Sequence, residues 1–550
     1  VTTYNDFLNL PFLGAIMGIG DPAQPPPYNL DVAKANTRYR VYAQDSWRIA
    51  PSFTLNYGLG WEMETNLFNH DLSKPAFLAP IYGSDLSPTN NNRGSVTPNL
   101  GFAWKPSNSN KTVIRGGAGV YYDTEFLYQR LQERSYIGPV GNGRVQYANS
   151  GFTNLFPGIL NLSAGGVPVP VGAALPYGQL TTLTMGQFLQ IFQQEIGPVS
   201  AAQAPKNLND LSVRNIDVIK QGTQLYPKNY PLLQSIHMNF GVQRQIRSDM
   251  VLTVDFVRRA FNHVDLGDLD MNRYNRYIGG VQTPVIPKCT PAQASTPGVE
   301  CSTGPITFWS PFGRTIYNGL LARLDKRFSN HLQFTASYSL NDNHGYGGLW
   351  NLDNYQASYG PSGSRHNFNL SGVYDLPWGF QIGLISAMAT RGPVNPTVTN
   401  IDLTGSGGST TMTLPGLGYN CLNAGCSVSD LQNAVTAFNS TYAGKKDARG
   451  QTISPLVLPA NFSTGRFFDS QDLRVTKKFT FKERYSISIF GEMFNVLNYF
   501  NPSGYNFNID NKNSNPAAQT YAFGQATQRV GQIFGSGGPR ASQIGARFQF

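Results

Sequence analysis

Two stretches near the C-terminus alternate apolar and polar residues with a strict period of two. In Arg484–Leu497 one face carries Tyr485, Ile487, Ile489 and Met493, and the other carries Ser486, Ser488, Phe490 and Glu492. In Ala541–Phe550 one face carries Ile544, Ala546, Phe548 and Phe550, and the other Gln543, Gly545, Arg547 and Gln549. Alternation of this length is a β-strand with one apolar and one polar face. A strand that ends on its apolar face at the final residue is unusual for a soluble domain, whose chain ends fray unless a sheet ties them down.

The rest of the chain repeats this strand. Val41, Ala43, Trp47 and Ile49 alternate with Tyr42, Gln44, Ser46 and Arg48, with Asp45 interrupting the apolar face. After Ala50-Pro51-Ser52, the residues Phe53, Leu55, Tyr57, Leu59, Trp61 and Met63 continue the pattern. This is a hairpin with a very short connection. Further hairpins are predicted from Val96–Lys105 with Lys111–Thr124, Ser235–Ile246 with Met250–Asn262, Arg314–Phe328 with Leu332–Leu340, Arg365–Leu376 with Phe380–Arg391, and Gly465–Phe481 with Arg484–Leu497. With Ala541–Phe550 the expectation is thirteen strands. Turns within hairpins are a few residues, whereas connections between hairpins are long: Thr65–Ser95, Glu125–Gln234, His263–Gly313, Asn341–Ser364, Gly392–Thr464 and Asn498–Arg540. Strict alternation of short and long connections puts every long loop at one end of the sheet. That is the layout of an outer-membrane barrel, with short turns on the periplasmic rim and long loops outside.

Composition agrees. Charged residues are 13% of the 550, about half the usual soluble level, while aromatics are 12% and glycines number 57. Such a chain suits strands, tight turns and polar loops rather than helical bundles. The net charge of +10 is dispersed; Lys445–Lys446 and Arg258–Arg259 are only pairs, which argues against nucleic acid and for strand ends facing water or anionic head groups. No run of eighteen apolar residues exists, so no transmembrane helix is expected. Val1 follows no Met or signal segment, so a processed or truncated product is expected. Val1–Gly20 is apolar and ambiguous, Thr2–Phe12 reads as a strand or a loop resting on a wall, and the prolines of Asp21–Asn29 make a spacer. In the longest loop, Met185, Phe188, Leu189 and Phe192 predict a helix capped by Thr184.

Cys289 and Cys301 fall in one long loop, and Cys421 and Cys426 in another. Three pairings are possible; the local one, Cys289–Cys301 and Cys421–Cys426, fits best because each bond clips its own loop. Disulfides imply an oxidising compartment, and the spacings are poor for a zinc site.

Catalytic signatures are lacking. There is no phosphate loop, no HExxH helix and no GxSxG elbow. Gly116-Gly117-Ala118-Gly119 sits inside a strand and reads as small residues easing packing. His70, His237, His263, His331, His344 and His366 are scattered, and Asp469 with Asp472 is an ordinary strand pair. Arg130, Glu133 and Arg134, near Tyr128, read as a solvated charged face in preference to a binding surface. No cofactor, metal or catalytic residue is assigned.

Several runs together resemble the barrel of TonB-dependent outer-membrane receptors, most closely the large Oar-like group typified in acidobacteria. They are RYRVYAQDSWRI at 38–49, YNGL at 317–320 with KRF at 326–328, RHNF at 365–368 leading to YDLPWG at 374–379, EMFNVLN at 492–498, and the closing segment from Pro539 to Phe550. The resemblance runs from about Thr2 to Phe550, with the long loops unmatched. It implies a barrel of about 22 strands, filled by an N-terminal plug and often preceded by a carboxypeptidase-regulatory-like domain. Residues 1–550 would then be the C-terminal barrel portion, without plug, regulatory-like domain or TonB-box, and about eight strands would come from elsewhere in a longer protein or from another chain. The resemblance also implies that the terminal aromatics, Phe548 and Phe550, belong to the signal read by the barrel assembly machinery. The implied role is a non-enzymatic receptor in the bacterial outer membrane. It would bind a scarce, bulky solute at extracellular loops and import it with energy from a TonB complex. The polar alternates Ser486, Ser488, Glu492, Gln543 and Arg547 would face the lumen or plug and the apolar ones outer-membrane lipid. A surface adhesion or structural barrel without transport is the alternative.

Overall fold

The computed structural model describes residues 3–10, 14–18, 35–91, 94–106, 111–124, 127–138, 144–148, 151–153, 162–164, 167–169, 184–187, 190, 216, 220, 222–267, 269–273, 276–278, 281–294, 296, 299–347, 358–403, 410–447, 449–481, 485–511, 522–530 and 536–550. Its frame is one antiparallel meander. The strands are β1 (Arg38–Ala50), β2 (Phe53–Glu64), β3 (Ser95–Trp104), β4 (Thr112–Tyr122), β5 (Gln234–Arg247), β6 (Met250–Val264), β7 (Gly313–Ser329) and β8 (Leu332–Tyr346). They continue as β9 (His366–Leu376), β10 (Phe380–Ala389), β11 (Phe468–Phe481), β12 (Tyr485–Phe494) and β13 (Ala541–Gln549). Each hydrogen-bonds to the next in chain order, and the short strand Tyr359–Pro361 on β8 completes a 14-stranded sheet. All thirteen sequence-predicted strands are present. Among the described residues β1 pairs only with β2, and β13 only with β12.

Local chemistry sets the short turns. Pro51-Ser52 and Ser248-Asp249 are the two residues between the closing pairs Ala50↔Phe53 and Arg247↔Met250. Asn330 and His331 take φ of 50° and 66° between Ser329 and Leu332, the positive pair that a two-residue hairpin turn requires. In the Pro377-Trp378-Gly379 turn, Trp378 and Gly379 have φ of 62° and 76°. The predicted turn Lys482-Glu483 and most of Pro106–Asn110 lie outside the described residues.

Register divides the sheet into two faces. Directly paired residues share a face. Trp47↔Leu55, Leu55↔Phe102, Leu252↔Leu324, Leu324↔Ala336, Ile489↔Ala546 and Ile487↔Phe548 lie on the apolar one. Arg40↔Glu62, Arg115↔Gly241, Arg474↔Glu492, Glu492↔Gln543 and Ser488↔Arg547 lie on the other. Asp45 does fall on the apolar face, where the Tyr57 hydroxyl donates to it at 3.2 Å. The glycine run of β4 lies under aromatic rings. A Cβ at Gly116 would sit 2.6 Å from the Phe102 ring, and one at Gly119 would sit 2.8 Å from the Tyr121 hydroxyl.

Among the described residues nothing covers the apolar face. Val41, Trp47, Leu59, Leu100, Phe240, Phe256, Leu320, Ile489, Ile544 and Phe548 are all exposed. Every buried apolar side chain among the described residues lies outside β1–β13. The long connections hold the cores instead. Leu67, Phe68, Tyr226, Tyr230 and Leu232 form one cluster, and Leu72, Leu78, Ile137, Leu225, Ile286, Ile306 and Phe308 contribute to a second. Together these clusters tie the three N-terminal long loops to one another. A third cluster joins the last two long loops through Val398, Ile401, Met412, Leu431, Val435, Phe438, Ile509 and Phe523.

Helices account for the differences from the sequence expectation. Tyr4–Leu8 is a short helix, α1, rather than strand or loop. Thr3 and Asp6 form its reciprocal cap. Thr184 caps a helical start at Met185, its side chain accepting from Gln187 N at 3.2 Å; Phe188, Leu189 and Phe192 lie outside the described residues. Leu127–Ile137 (α2) and Val428–Tyr442 (α3) were not anticipated. In α3, Ser427 and Asp430 form a capping box, and Leu431, Ala434, Val435 and Phe438 turn inward at helical spacing. Truncating Phe438 to Ala empties the centre of the third cluster and should cost about 3–5 kcal/mol. Hydrogen exchange of α3 amides should rise accordingly while the amides of β1–β13 keep their protection.

Candidate functional site

The polar face is a wall of matched charges. Near the long-loop end, Arg38 reaches Glu64 at 2.5 Å and Arg40 reaches Glu62 at 2.7 Å. Thr124 adds a hydroxyl to Glu64 at 2.6 Å. Mid-wall, Arg115 Nη2 grips both oxygens of Asp255 at 3.1 and 3.0 Å. Gly241 makes room for that pair, because a Cβ there would meet Asp255 Oδ1 at 1.9 Å. Arg323 meets Asp325 at 2.8 Å, and the Thr335 hydroxyl donates to the same oxygen at 2.8 Å. Toward the C-terminus Arg474 binds Glu492 at 2.8 Å while its guanidinium lies 3.9 Å over the Phe490 ring, and Gln543 donates to the other Glu492 oxygen. The arginine side chains of these pairs are 45–61% exposed, so each pair contributes about 0–1 kcal/mol. Their importance is a polar surface whose local charge is balanced.

This face is the concave one. Three cavities open on it: about 470 Å³ beside Arg40, Tyr42 and Glu62, about 570 Å³ between Arg115, Arg323 and Asn369, and about 470 Å³ beside Ile385, Asp472 and Arg474. Residues such as Thr97, Asn99, Ser337, Ser339 and Asn367 supply neutral donors and acceptors between the charges.

The loop layer above is pinned by a buried ionic network. Glu133 of α2 is fully buried and is ion-paired with the equally buried Lys74. The carboxylate also accepts from Tyr226 N at 2.9 Å and from Asn69 Nδ2 at 3.0 Å. Arg134 makes two 3.0 Å bonds to Asp71, and Arg130 donates to Asn66 O. Burial raises the Tyr226 phenol far above its usual pKa, and the Glu133 charge pushes it further the same way. The solvated face expected for Arg130, Glu133 and Arg134 is therefore corrected. The connection between β2 and β3 folds onto them through Asn66, Asn69, Asp71 and Lys74, and burial of charge is tolerated because each has partners. Replacing Glu133 with Gln leaves the Lys74 ammonium buried without its carboxylate. The cost should be about 3–5 kcal/mol, seen as faster proteolysis of segment 65–94 with the strands still protected.

The other sequence candidates disperse. Cys289 is bonded to Cys301 and Cys421 to Cys426. Asp472 accepts from Asn495 N at 2.8 Å and Ser536 at 2.7 Å, and Asp469 accepts from Gln471 at 2.7 Å. His70 and His263 each face a backbone carbonyl at 3.1 Å, and His366 meets the Tyr338 hydroxyl at 2.7 Å. Phe548 stacks on Tyr485 at 6.2 Å and on Phe550 at 5.9 Å, all at the short-turn end. They share that end of the apolar face with Trp47, Trp104, Tyr374, Phe380 and Phe481. Such a band of aromatics suits an interface between hydrocarbon and water. Lys477 lies within 4.4 Å of the Phe380 ring, its ammonium held beside that band.

The family profile described as outer membrane beta barrel domain matches residues 12–543. The chain belongs to this outer-membrane β-barrel family. Its strands are the barrel's wall, and its place is the outer membrane. No described helix is long and apolar enough to cross a membrane. No curated protein matches the chain. Similar solved structures include the ferric enterobactin receptor of Pseudomonas aeruginosa in complex with enterobactin, at 10% identity and TM-score 0.41, over 94% of this chain and 45% of that one. The outer membrane transporter YddB of Escherichia coli gives 9% identity and TM-score 0.42, over 94% and 45%. The siderophore receptor PirA of Acinetobacter baumannii gives 10% and 0.39, over 98% and 53%. The barrel chain thus spans about half the length of these structures.

Proposed function

We propose that residues 1–550 form the C-terminal part of a TonB-dependent outer-membrane receptor of the Oar-like kind. It takes a scarce, bulky solute at its long loops and admits it with energy delivered by a periplasmic TonB complex. The observation that carries this reading is the sorting of the fold: a concave polar wall, an uncovered apolar face, and a folded loop layer at one end only. A lumen lined by balanced charge accommodates a plug or a passing solute without a strong field of one sign. The sequence runs at 38–49, 365–379 and 492–498 point to the receptor family in particular. The long loops would be extracellular and the C-terminus periplasmic, with Phe548 and Phe550 placed for recognition by the assembly machinery. The outer edges of β1 and β13, unpaired among the described residues, support a wall completed by further strands, because an unpaired edge in hydrocarbon is prohibitive. No catalytic step is assigned.

A surface adhesin without transport is the second reading. It is favoured by the loop layer itself, whose hydrophobic cores and two disulfides make a rigid presentation surface. The reading frame around Val1 separates the two. The receptor reading expects upstream coding for a TonB-box, a plug and about eight more strands, and expects solute uptake by cells carrying that frame to stop when TonB is deleted. A frame lacking plug and TonB-box contradicts import and leaves adhesion.

A further inference from the structure

Arg258 and Arg259 are neighbours in sequence and stand on opposite faces of β6. Arg259 pairs with Tyr317 on the polar face. Arg258 falls on the same face as Leu252 and Phe256, the apolar one, between Met238 of β5 and Asn318 of β7. Its row continues from Asn318 to Asp342 of β8. The next row toward the short turns is Phe256, Leu320 and Leu340, and Phe256 and Leu320 are exposed. Toward the long loops the same face carries His344 and then a row of Tyr122, Gln234, Asn262 and Arg314. In that row Asn262 donates to Gln234 at 3.2 Å and Gln234 to the Tyr122 hydroxyl at 2.7 Å. The apolar face of β5–β8 therefore turns polar at Arg258.

The height of this boundary fits a membrane. At the short-turn rim of the same face Lys326 of β7 meets Asp249 at 2.9 Å. Between Lys326 and Asn318 the residues on this face are Leu324, Ala322 and Leu320. Those eight residues of strand span about 27 Å, or about 20 Å along the membrane normal at a tilt of about 40°, close to the lipid-facing band of an outer-membrane barrel. Arg258 thus stands where hydrocarbon gives way to head groups.

On the polar face arginine meets carboxylate, but these two arginines do not. Arg258 donates to the Asn318 amide oxygen at 2.8 Å, and the exposed Arg314 lies 5.0 Å from the centre of the Tyr359 ring. Neither is ion-paired among the described residues. Asp342, the carboxylate of the row, faces His344 Nδ1 at 3.3 Å and accepts from Asn318 Nδ2 at 3.4 Å, two strands away from Arg258.

We propose that Arg258 and Arg314 bind the phosphate-bearing head group of an anionic lipid in the leaflet at the long-loop end. Arg258 takes the phosphate, because a guanidinium fork matches phosphate oxygens in pairs, and the Asn318 amide oxygen holds it in place. The acyl chains lie along Phe256, Leu320 and Leu340 on the same face. Arg314, steadied by the Tyr359 ring, meets the outer part of the head group. This requires only that the apolar face meets lipid, whatever solute the barrel admits.

The test is equilibrium binding of short-chain phosphatidic acid to the full-length protein in neutral maltoside micelles. Saturable binding is expected, with phosphatidylcholine competing poorly and inorganic phosphate binding far more weakly. The double variant Arg258→Gln/Arg314→Gln should weaken binding about tenfold or more, the loss of charge-assisted bonds. Arg259→Gln, one residue away on the polar face, should leave it unchanged. If the double variant does not fold, each single variant carries the same test with a smaller loss. Variants that bind like the unaltered protein, or an equal loss with Arg259→Gln, would overturn the site. Inorganic phosphate binding as tightly as the lipid would overturn the lipid assignment, and phosphatidylcholine competing as well as phosphatidic acid would overturn the preference for an anionic head group.

Discussion

Everything in this chain follows from where its backbone hydrogen bonds go. Inside hydrocarbon an unpaired amide or carbonyl costs several kcal/mol, so a spanning strand must be bonded along both edges. The thirteen strands satisfy one another in chain order, each hairpin handing on to the next. Side chains are then free to serve two solvents. One set stands bare on the apolar face, as in Leu59, Leu100, Phe240 and Ile544. The other lines a concave wall of arginine–carboxylate pairs. A soluble sheet protein would have to bury the first set under a second layer; here a bilayer takes that layer's place.

The hydrophobic effect in water acts on the loops instead. Their buried residues collect into three clusters that knit distant connections together, and α2 and α3 are the rigid parts of that layer. The Lys74–Glu133 pair shows the cost of this arrangement, because two charges are held in a dry interior by a complete set of partners. The loop layer is thus a folded body that can hold a fixed shape over the mouth of the wall, which any solute-recognition or adhesive role requires.

The strands were legible because period-two alternation is local and the bilayer enforces it along most of each strand, with Asp45 a local exception. The expected Ser235–Ile246 differs from the observed Gln234–Arg247 by one residue at each end, and Phe53–Met63 from Phe53–Glu64 by one. The loop layer was not legible. The helical spacing of Leu431, Ala434, Val435 and Phe438 is in the sequence, but it covers only about two turns inside the long connection Gly392–Thr464, where no neighbouring pattern sets it off. Glu133 looked like one member of a charged patch because its partner Lys74 is far away in sequence.

The central claim is that alternate residues of one strand face lipid and water. The most direct measurement places single nitroxide labels at Cys substitutions of 486, 487, 488 and 489 in β12, with the barrel reconstituted in vesicles; the native cysteines are all disulfide-bonded. The account predicts that positions 487 and 489 are relaxed chiefly by oxygen dissolved in the hydrocarbon, and positions 486 and 488 chiefly by a water-soluble nickel complex. Equal access of the nickel complex to all four positions would mean that the apolar face is not in the membrane, and would contradict the account.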